Sequence, residues 1–491
     1  MTDGIEKRVR LAVDGEALEA PAGRNLLGFL NGLGKGIPHF CWHPGLSVVA
    51  SCRQCQVEVQ GPGPAPRRLA VACRAETAEG LQVWTSTDAA RKARRGVLEF
   101  LLVNHPLDCP ICDKAGECPL QDFTFAQGPS ASRSDLEKRH FRKRVDLGPV
   151  IALDEERCVL CSRCVRFFPE VTGTTQLGIF GRGIHSMVGA PGDRPLEGLY
   201  QGNLADICPV GALTLKKFAH VARSWNLKPT PSVCPLCSRG CNTLVDAYRG
   251  SVVRIRPRPN PAVNGHWMCD VGRFGFDDLN DRDRLVSVVV KDRDGRSRDL
   301  GYEGGLEAVA ERLREHGPRL LALASPFLTN EEAASFAALA RALGLPLLFL
   351  SPARVEEDSI LRTGDPCPNR RGLIESGFEG IESDEVMPRL LASSAAFLAG
   401  ERILSLLSPE ALRKLETGSP PAFLVDRRLV PWAEACIPAR SWAEKSGTFA
   451  NVDGHRQAIA PSLPPPPGVR PETEVFEALA RLLVPVPVGA R

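Results

Sequence analysis

The chain opens on an alternation of apolar and polar positions. Val9, Leu11 and Val13 fall on one face of a strand, and residues 1–20 read as short strands with Asp14-Gly15 as the turn. Asn25 to Leu33 changes to a helical spacing, and 56–60 and 69–72 return to strands. At 93–103, Val97, Leu98, Leu101 and Leu102 make an apolar helical stripe. Beyond residue 300 the pattern becomes longer and regular. Helices are predicted at 304–316 and 331–343, the second with Asn330 as N-cap and Gly344 beyond its end, and strands at 319–325 and 346–350. Ser408-Pro409 starts another helix that stops at Gly418, 422–426 is a strand, and a short helix near 472–483 follows Pro464–Pro467. Alternating helices and strands predict an open, largely parallel sheet in this half.

Between these two regions the pattern is broken by loops rich in cysteine. Fifteen of the 17 cysteines lie within 41–269, and only Cys367 and Cys436 lie beyond. In a chain without a signal peptide such usage points to metal ligation or redox chemistry rather than disulfides. The first set, Cys41, Cys52, Cys55 and Cys73, has the spacing C-x10-C-x2-C-x17-C. A loop with three cysteines and one distant cysteine is the plant-type [2Fe–2S] arrangement, although the first gap is longer here. Zinc would accept the same four thiolates. The second set is His105, Cys109, Cys112 and Cys118, in a loop shaped by Pro106, Pro110, Gly116 and Pro119. Three cysteines and a histidine suit an iron–sulfur cluster or zinc.

The third set, Cys158, Cys161 and Cys164 with a distant Cys208-Pro209, follows the bacterial ferredoxin pattern for [4Fe–4S]. The fourth, Cys234, Cys237, Cys241 and Cys269, suits the same cube and begins after Pro229-Thr230-Pro231, which reads as a linker. Fifteen cysteines and His105 thus make sixteen ligands in four sets of four. Arg53, Arg163, Arg166 and Arg239 lie in or beside the ligand loops; each reads either as a tuner of a bound cluster's potential or as a surface arginine.

Composition removes several alternatives. A formal net charge of +3 gives no support for nucleic-acid binding, and the basic runs 91–95 and 138–144 read as solvated faces. Residues 1–13 lack a basic segment followed by an apolar core. The most apolar stretch, 336–350, is interrupted by Arg341, Gly344 and Pro346, so no membrane span is expected. GLGKGIP at 32–38 has the wrong spacing for a dinucleotide loop, so neither NADH nor flavin is expected on this chain.

The four sets, in this order, resemble the largest hydrophilic subunit of NADH:quinone oxidoreductase, respiratory complex I, over roughly residues 8–285. The resemblance implies one [2Fe–2S] cluster on the first set and three [4Fe–4S] clusters on the others. His105 would be an unusual histidine ligand, and the fourth site is one that only some bacterial members carry. It implies a multidomain α+β chain. A β-grasp [2Fe–2S] ferredoxin domain would span 1–88, a helical histidine-plus-three-cysteine [4Fe–4S] domain 89–145, and a bacterial-ferredoxin-like [4Fe–4S] domain 146–228. A fourth-cluster domain at 229–285 and a shortened molybdopterin-oxidoreductase-like α/β domain at 286–491 would follow. The segments SPFLTNEEAASFAALARALG and EKSGTFANVDGHRQ look like pieces of that last domain. About 220 residues follow Cys269, fewer than a complete domain of that kind, and neither Cys367 nor Cys436 precedes a histidine, so no molybdopterin is expected.

The implied function is electron relay with no substrate site on this chain. The implied partners are an NADH-binding flavoprotein subunit, a small [2Fe–2S] subunit and quinone-proximal subunits. The implied location is peripheral, on the cytoplasmic face of the inner membrane. A formate dehydrogenase or hydrogenase iron–sulfur subunit is the alternative. A zinc-stapled scaffold would share the ligand types and be colourless.

Overall fold

The computed structural model describes residues 7–483, so the expected alternation over residues 1–6 lies outside the described residues. The chain divides into two compact units, one ending at Leu227 and the other beginning at Lys228.

In the first unit, β1 (Arg8–Val13) and β2 (Glu16–Pro21) form a hairpin, and α1 (Leu26–Gly32) follows. Asn25 caps α1 by accepting from the Gly28 N–H at 3.0 Å, while its amide donates to the Cys73 carbonyl at 2.7 Å. With β3 (Gln56–Gln60), β4 (Arg68–Val71) and β5 (Gln82–Trp84) the hairpin makes a five-stranded sheet in the order β2-β1-β5-β3-β4. The alternation read from the sequence is physical. Val9, Leu11 and Val13 are buried, and they pack with Leu26, Leu27, Leu30, Val57 and Val83 in one core. Cys55 and Cys73 line the same core.

The expected helix over 93–103 starts earlier, as α2 (Asp88–Leu102), because Thr87 caps it from the Ala90 N–H. Of its apolar stripe only Leu98 is fully buried. One residue of the basic run 91–95 is not solvated: Arg94 is 3% exposed and donates to the Gln56 carbonyl at 2.8 Å. A guanidinium with a long apolar stem can lie along an apolar surface where its head finds an acceptor. Next come α3 (Pro119–Gln127), β6 (Val145–Asp146) and β7 (Ile151–Leu153). Short α4 (Arg163–Phe167) precedes a hairpin of β8 (Gly178–Phe180) and β9 (Met187–Gly189). After α5 (Asn203–Ile207), β10 (Leu213–Leu215) pairs antiparallel with β7.

The second unit opens on β11 (Lys228–Val233), β12 (Asn242–Tyr248) and β13 (Ser251–Pro257), a three-stranded antiparallel sheet. The expected linker at Pro229–Pro231 is therefore a strand. β11 lies at the sheet edge, where alternate residues turn their backbone nitrogens away from the ladder, and two prolines spaced by one residue are tolerated there. Helix α6 (Asp270–Phe274) follows.

The remaining strands and helices build one eight-stranded sheet. In chain order they are β14 (Val289–Lys291), β15 (Ser297–Asp299), α7 (Tyr302–His316), β16 (Leu320–Ala324), α8 (Asn330–Ala342), β17 (Leu348–Ser351), α9 (Arg370–Glu375) and β18 (Glu379–Glu382). Then come α10 (Val386–Ala392), β19 (Ala395–Ala399), α11 (Pro409–Glu416), β20 (Ala422–Asp426) and β21 (Ala435–Pro438). The order is β15-β14-β21-β20-β19-β16-β17-β18. From β18 to β21 all neighbours are parallel; β14 runs against them, and the edge strand β15, antiparallel to β14, runs with them again. A hairpin of β22 (Gly447–Ala450) and β23 (Arg456–Ile459) and the helix α12 (Glu472–Leu483) complete the described chain.

Helices α7, α8 and α12 cover one face of the large sheet, and α10 and α11 cover the other. Strand residues buried on both faces explain the continuous apolar run of AAFLA in β19. Helix α8 is capped by Thr329, not by Asn330: Thr329 and Glu332 exchange side chain-to-backbone hydrogen bonds. Asn330 instead donates to Thr448 Oγ1 at 2.9 Å. No helix among the described residues is long and apolar enough to cross a membrane.

Candidate iron–sulfur sites

The first set is carried on the loop between α1 and β3, with Cys73 in the turn after β4. Ala50 and Arg53 take left-handed backbone conformations there (φ 54° and 58°), which curl the loop around its sulfurs. The backbone N–H groups of Phe40 and Cys41 both point at Cys52 Sγ at 3.5 Å, and that of Cys73 points at Cys55 Sγ at 3.5 Å. Hydrogen bonds link Cys41 to Cys52 and Cys73, and Cys55 to Cys73. Those bonds pull the Cys41 thiol down and push Cys52 and Cys73 up. Gln54, between two of them, is fully buried, and neither its amide nitrogen nor its oxygen has a protein partner.

In the second set Cys112 and Cys118 are buried and Cys109 is exposed. Burial pushes Cys118 up to about 11 and raises Cys112, with a smaller push from Cys109 on Cys112 and from Cys112 on Cys118. His105 is different. Burial, with Arg157 and Lys138 nearby, brings its imidazole down to about 4. It is therefore neutral at neutral pH, the form in which imidazole can ligate a metal. The strongest influences on it are Arg157, Lys138, Asp108 and Lys143, and no thiol is among them.

The second loop is fastened to the third by contacts that sequence spacing does not show. Arg223 donates to the carbonyls of Cys112 (2.9 Å) and Pro110. Lys114 donates to the Ala205 carbonyl at 3.1 Å, and Cys118 Sγ lies 3.8 Å from the Pro209 carbonyl. Gly211 abuts Cys112 Sγ so closely that a β-carbon there would overlap the sulfur.

The third set is the most complete. All four cysteines, Cys158, Cys161, Cys164 and Cys208, line one small cavity whose other walls include Leu153, Val188, Val210 and Leu213. Leu160 and Ser162 are left-handed (φ 50° and 59°). This winding aims the Leu160 N–H at Cys158 Sγ at 3.4 Å, an arrangement that suits an anion. Burial pushes Cys158 up to about 12 and Cys161 up to about 11, so loading metal on these sulfurs must release protons.

In the fourth set Cys234, Cys237, Cys241 and Cys269 are all buried and act on one another. Cys269 caps α6, its Sγ accepting from the Gly272 N–H at 3.4 Å. A β-carbon at Gly272 would meet Cys234 Sγ at 2.8 Å. The loop is stitched to later parts of its own unit: Ser238 N–H donates to the Asp365 carbonyl, Arg239 Nε to the Leu361 carbonyl, and Gln457 to the Gly240 carbonyl.

These residues fit inorganic clusters. Each set gathers soft donors, and three supply backbone N–H groups aimed at sulfur. Buried donors without protein acceptors, Gln54 Nε2 and Arg163 Nε, stand beside them. Among the described residues no group of three or more His, Cys, Asp or Glu side chains converges as a chelating site for a single ion. Of the four arginines assigned a tuning role, Arg53 is exposed, Arg163 is buried, Arg166 is half-buried, and Arg239 is tied to Leu361 and Asp453.

Four family descriptions match in the same order along the chain. Residues 6–88 match a 2Fe-2S iron-sulfur cluster binding domain, and 94–133 the NADH-ubiquinone oxidoreductase-G iron-sulfur binding region. Residues 148–214 match the ferredoxin-like domain of NADH-quinone oxidoreductase subunit 3, and 227–281 the molybdopterin oxidoreductase Fe4S4 domain. A subunit of the Streptomyces coelicolor NADH-quinone oxidoreductase is 40% identical over 338 residues, which are 68% of this chain and 40% of that protein. The 75 kDa subunit of the Reclinomonas americana NADH-ubiquinone oxidoreductase is 36% identical, over 73% of this chain and 52% of that one. This chain is a relative of the 75 kDa iron–sulfur subunit of NADH-quinone oxidoreductases.

The kinship extends to mitochondria. The mitochondrial NADH dehydrogenase iron-sulfur protein 1 of Solanum tuberosum is 37% identical, over 73% of this chain and 48% of that one. The chain thus spans about half the length of these 75 kDa-type relatives, or less.

Proposed function

We propose that this chain is an electron-relay subunit of an NADH:quinone oxidoreductase. It would hold one [2Fe–2S] cluster on Cys41, Cys52, Cys55 and Cys73. Three [4Fe–4S] clusters would be held by His105 with Cys109, Cys112 and Cys118; by Cys158, Cys161, Cys164 and Cys208; and by Cys234, Cys237, Cys241 and Cys269. When bound, such clusters supply reversible one-electron transfer. The observation that carries the reading is the gathering of the four third-set cysteines around one cavity within a series of such sets.

The protein's part in this is to bind, shield and tune. Fifteen thiols supply anionic ligands, the loops bury most of them, and N–H groups with buried arginine offset the negative charge left inside. No residue makes or breaks a substrate bond. In this reading the first unit comprises a β-grasp domain (1–88), a histidine-plus-three-cysteine domain (89–145) and a ferredoxin-like domain (146–228). The second would pair a fourth-cluster domain (229–285) with a molybdopterin-oxidoreductase-like domain (286–491). Electrons would arrive from a flavoprotein partner, with a small [2Fe–2S] subunit beside it, and leave toward quinone-proximal subunits. The assembly would sit on the cytoplasmic face of the membrane.

The test is iron and acid-labile sulfide analysis with low-temperature EPR of the anaerobically purified chain. About 14 irons per chain are expected for one two-iron and three four-iron clusters. Stoichiometric zinc with little iron would overturn the reading.

A further inference from the structure

The buried arginine at the start of α4 touches two ligand sets at once. Arg163 is 8% exposed. One of its terminal nitrogens donates to the Ile207 carbonyl at 2.9 Å, next to Cys208 of the third set. The other donates to the Trp42 carbonyl at 2.5 Å, next to Cys41 of the first set. Its Nε is buried and has no protein acceptor. Both terminal nitrogens of the guanidinium are therefore pinned by carbonyls from different ligand loops, and Nε is the one nitrogen without a protein acceptor.

The surroundings hold it there. Three residues on, Arg166 donates to the Cys41 carbonyl at 2.5 Å and to the Ser47 carbonyl. Glu170 then takes the Ser47 N–H at 2.7 Å and the Ser47 hydroxyl at 2.6 Å. Arg163, Arg166 and Glu170 thus clamp residues 41–47 onto the third-set segment. Arg163 is felt electrostatically at Cys161, Cys208, Cys41 and Cys52, members of both sets. Arg166 is only half-buried; besides its two first-set carbonyls it donates to Ser162 Oγ at 3.3 Å, within its own turn of the third-set segment. What sets Arg163 apart is its burial and its two terminal nitrogens, each on a carbonyl next to a ligand of a different set.

We propose that Arg163 is a positioning residue shared by the first and third sets, its single fixed charge setting the reduction potentials of both sites together and its two carbonyl bonds fixing their spacing. This rests on the reading of those sets as cluster sites. Each site gains one negative charge when it accepts one electron. A cation held near both, in a dry setting, favours the reduced form at each. Removing the charge should lower both potentials in parallel, where damage to one loop would lower or abolish only its own.

The experiment is a redox titration of the assembled complex, with dithionite as reductant, followed by low-temperature EPR. If the unmodified complex lacks a [2Fe–2S] and a third-set [4Fe–4S] signal, the underlying reading fails and not this inference. For Arg163→Gln, the ratio of oxidised to reduced form at a fixed ambient potential should rise at least tenfold for both signals. That is about 59 mV for a one-electron couple. Arg163→Lys, which keeps the charge, should leave both ratios within about threefold. A shift in one signal only, no shift in either, or a lysine variant that behaves like glutamine overturns the proposal. Should Arg163→Gln fail to load clusters, Arg163→Met is compared with Arg163→Lys. Loss of both signals in Met with both retained in Lys supports the shared charge, and loss of a single signal overturns it.

Discussion

Gly211 offers a direct test of whether the second loop is built to hold a cluster in its observed position. The residue follows Cys208-Pro209-Val210, and its neighbour Ala212 is held by the Asp154 N–H at 2.8 Å. In Gly211→Ala the new methyl would overlap Cys112 Sγ and press on Lys114 Cβ, 3.3 Å away, and Arg157 Cδ, 3.6 Å away. Relief requires a relative movement of roughly 1 Å between the two loops, and overpacking of this kind costs about 1–3 kcal/mol. The strand pairing of Leu213–Leu215 with Ile151–Leu153 anchors the Gly211 side. The 109–118 loop has no strand to anchor it, so Cys112 should be the part that moves. We expect the variant to assemble but to lose the histidine-plus-three-cysteine cluster, its iron falling from about 14 to about 10 per chain, with the third-set signal retained. Iron analysis and EPR of the anaerobically purified chain make the measurement. Full iron with an unaltered spectrum would refute the packing argument, and loss of the third-set signal instead would show that the wrong loop yields.

Other perturbations address separate points. In His105→Cys an anionic ligand replaces a neutral one, so a [4Fe–4S] cluster should persist with a lower potential in EPR-monitored titration; an unchanged potential would show that His105 is no ligand. Cys237→Ala should lower assembly of the complex while NADH-to-quinone turnover per assembled complex changes little, since the 234–241 loop binds its own unit at Asp365, Leu361 and Gln457. Normal assembly with collapsed turnover would place that site on the electron path. Glu472 is fully buried, and burial, with Glu332 beside it, raises its carboxyl above the ordinary range despite the bond to Lys445 at 2.8 Å. Its folded form therefore holds a proton that the unfolded chain releases, and stability should fall as pH rises from about 5 to about 8. Glu472→Gln should flatten that fall in thermal midpoint, and an identical slope would assign it to other groups.

Periodicity and local chemistry made most of the framework legible. The strands at 56–60 and 422–426 and the helix at 472–483 fall where the pattern put them, because each depends on neighbours close in sequence. The parallel sheet was readable for the same reason. Capping was misread at Asn330, since Thr329 and Asn330 are both good N-caps and only the reciprocal bond to Glu332 selects the first. The prolines of 228–233 were misread because their tolerance depends on lying at a sheet edge, which is a tertiary fact. Ligand types were visible as spacings, yet the close approach of Gly211 to Cys112 joins residues 99 apart, and no spacing rule reaches that far.

The same distinction explains why buried arginine was the hardest feature to read. A basic residue beside a cysteine loop is ordinarily solvated, and Arg53 bears this out by being exposed. Arg94 and Arg163 differ in that a main-chain carbonyl from a distant segment waits at the end of each stem: Gln56 for the first, Trp42 and Ile207 for the second. A buried guanidinium is costly unless its donors are met and its charge is balanced. Carbonyls meet two of the Arg163 donors, but carbonyls carry no net charge. No carboxylate is bonded to it, and its electrostatic partners are the sulfurs of Cys161, Cys208, Cys41 and Cys52. As neutral thiols those sulfurs could not balance a cation. The site is electrically consistent only when they are anionic, so the burial of Arg163 is itself a reason to expect metal-bound thiolates on both sides of it.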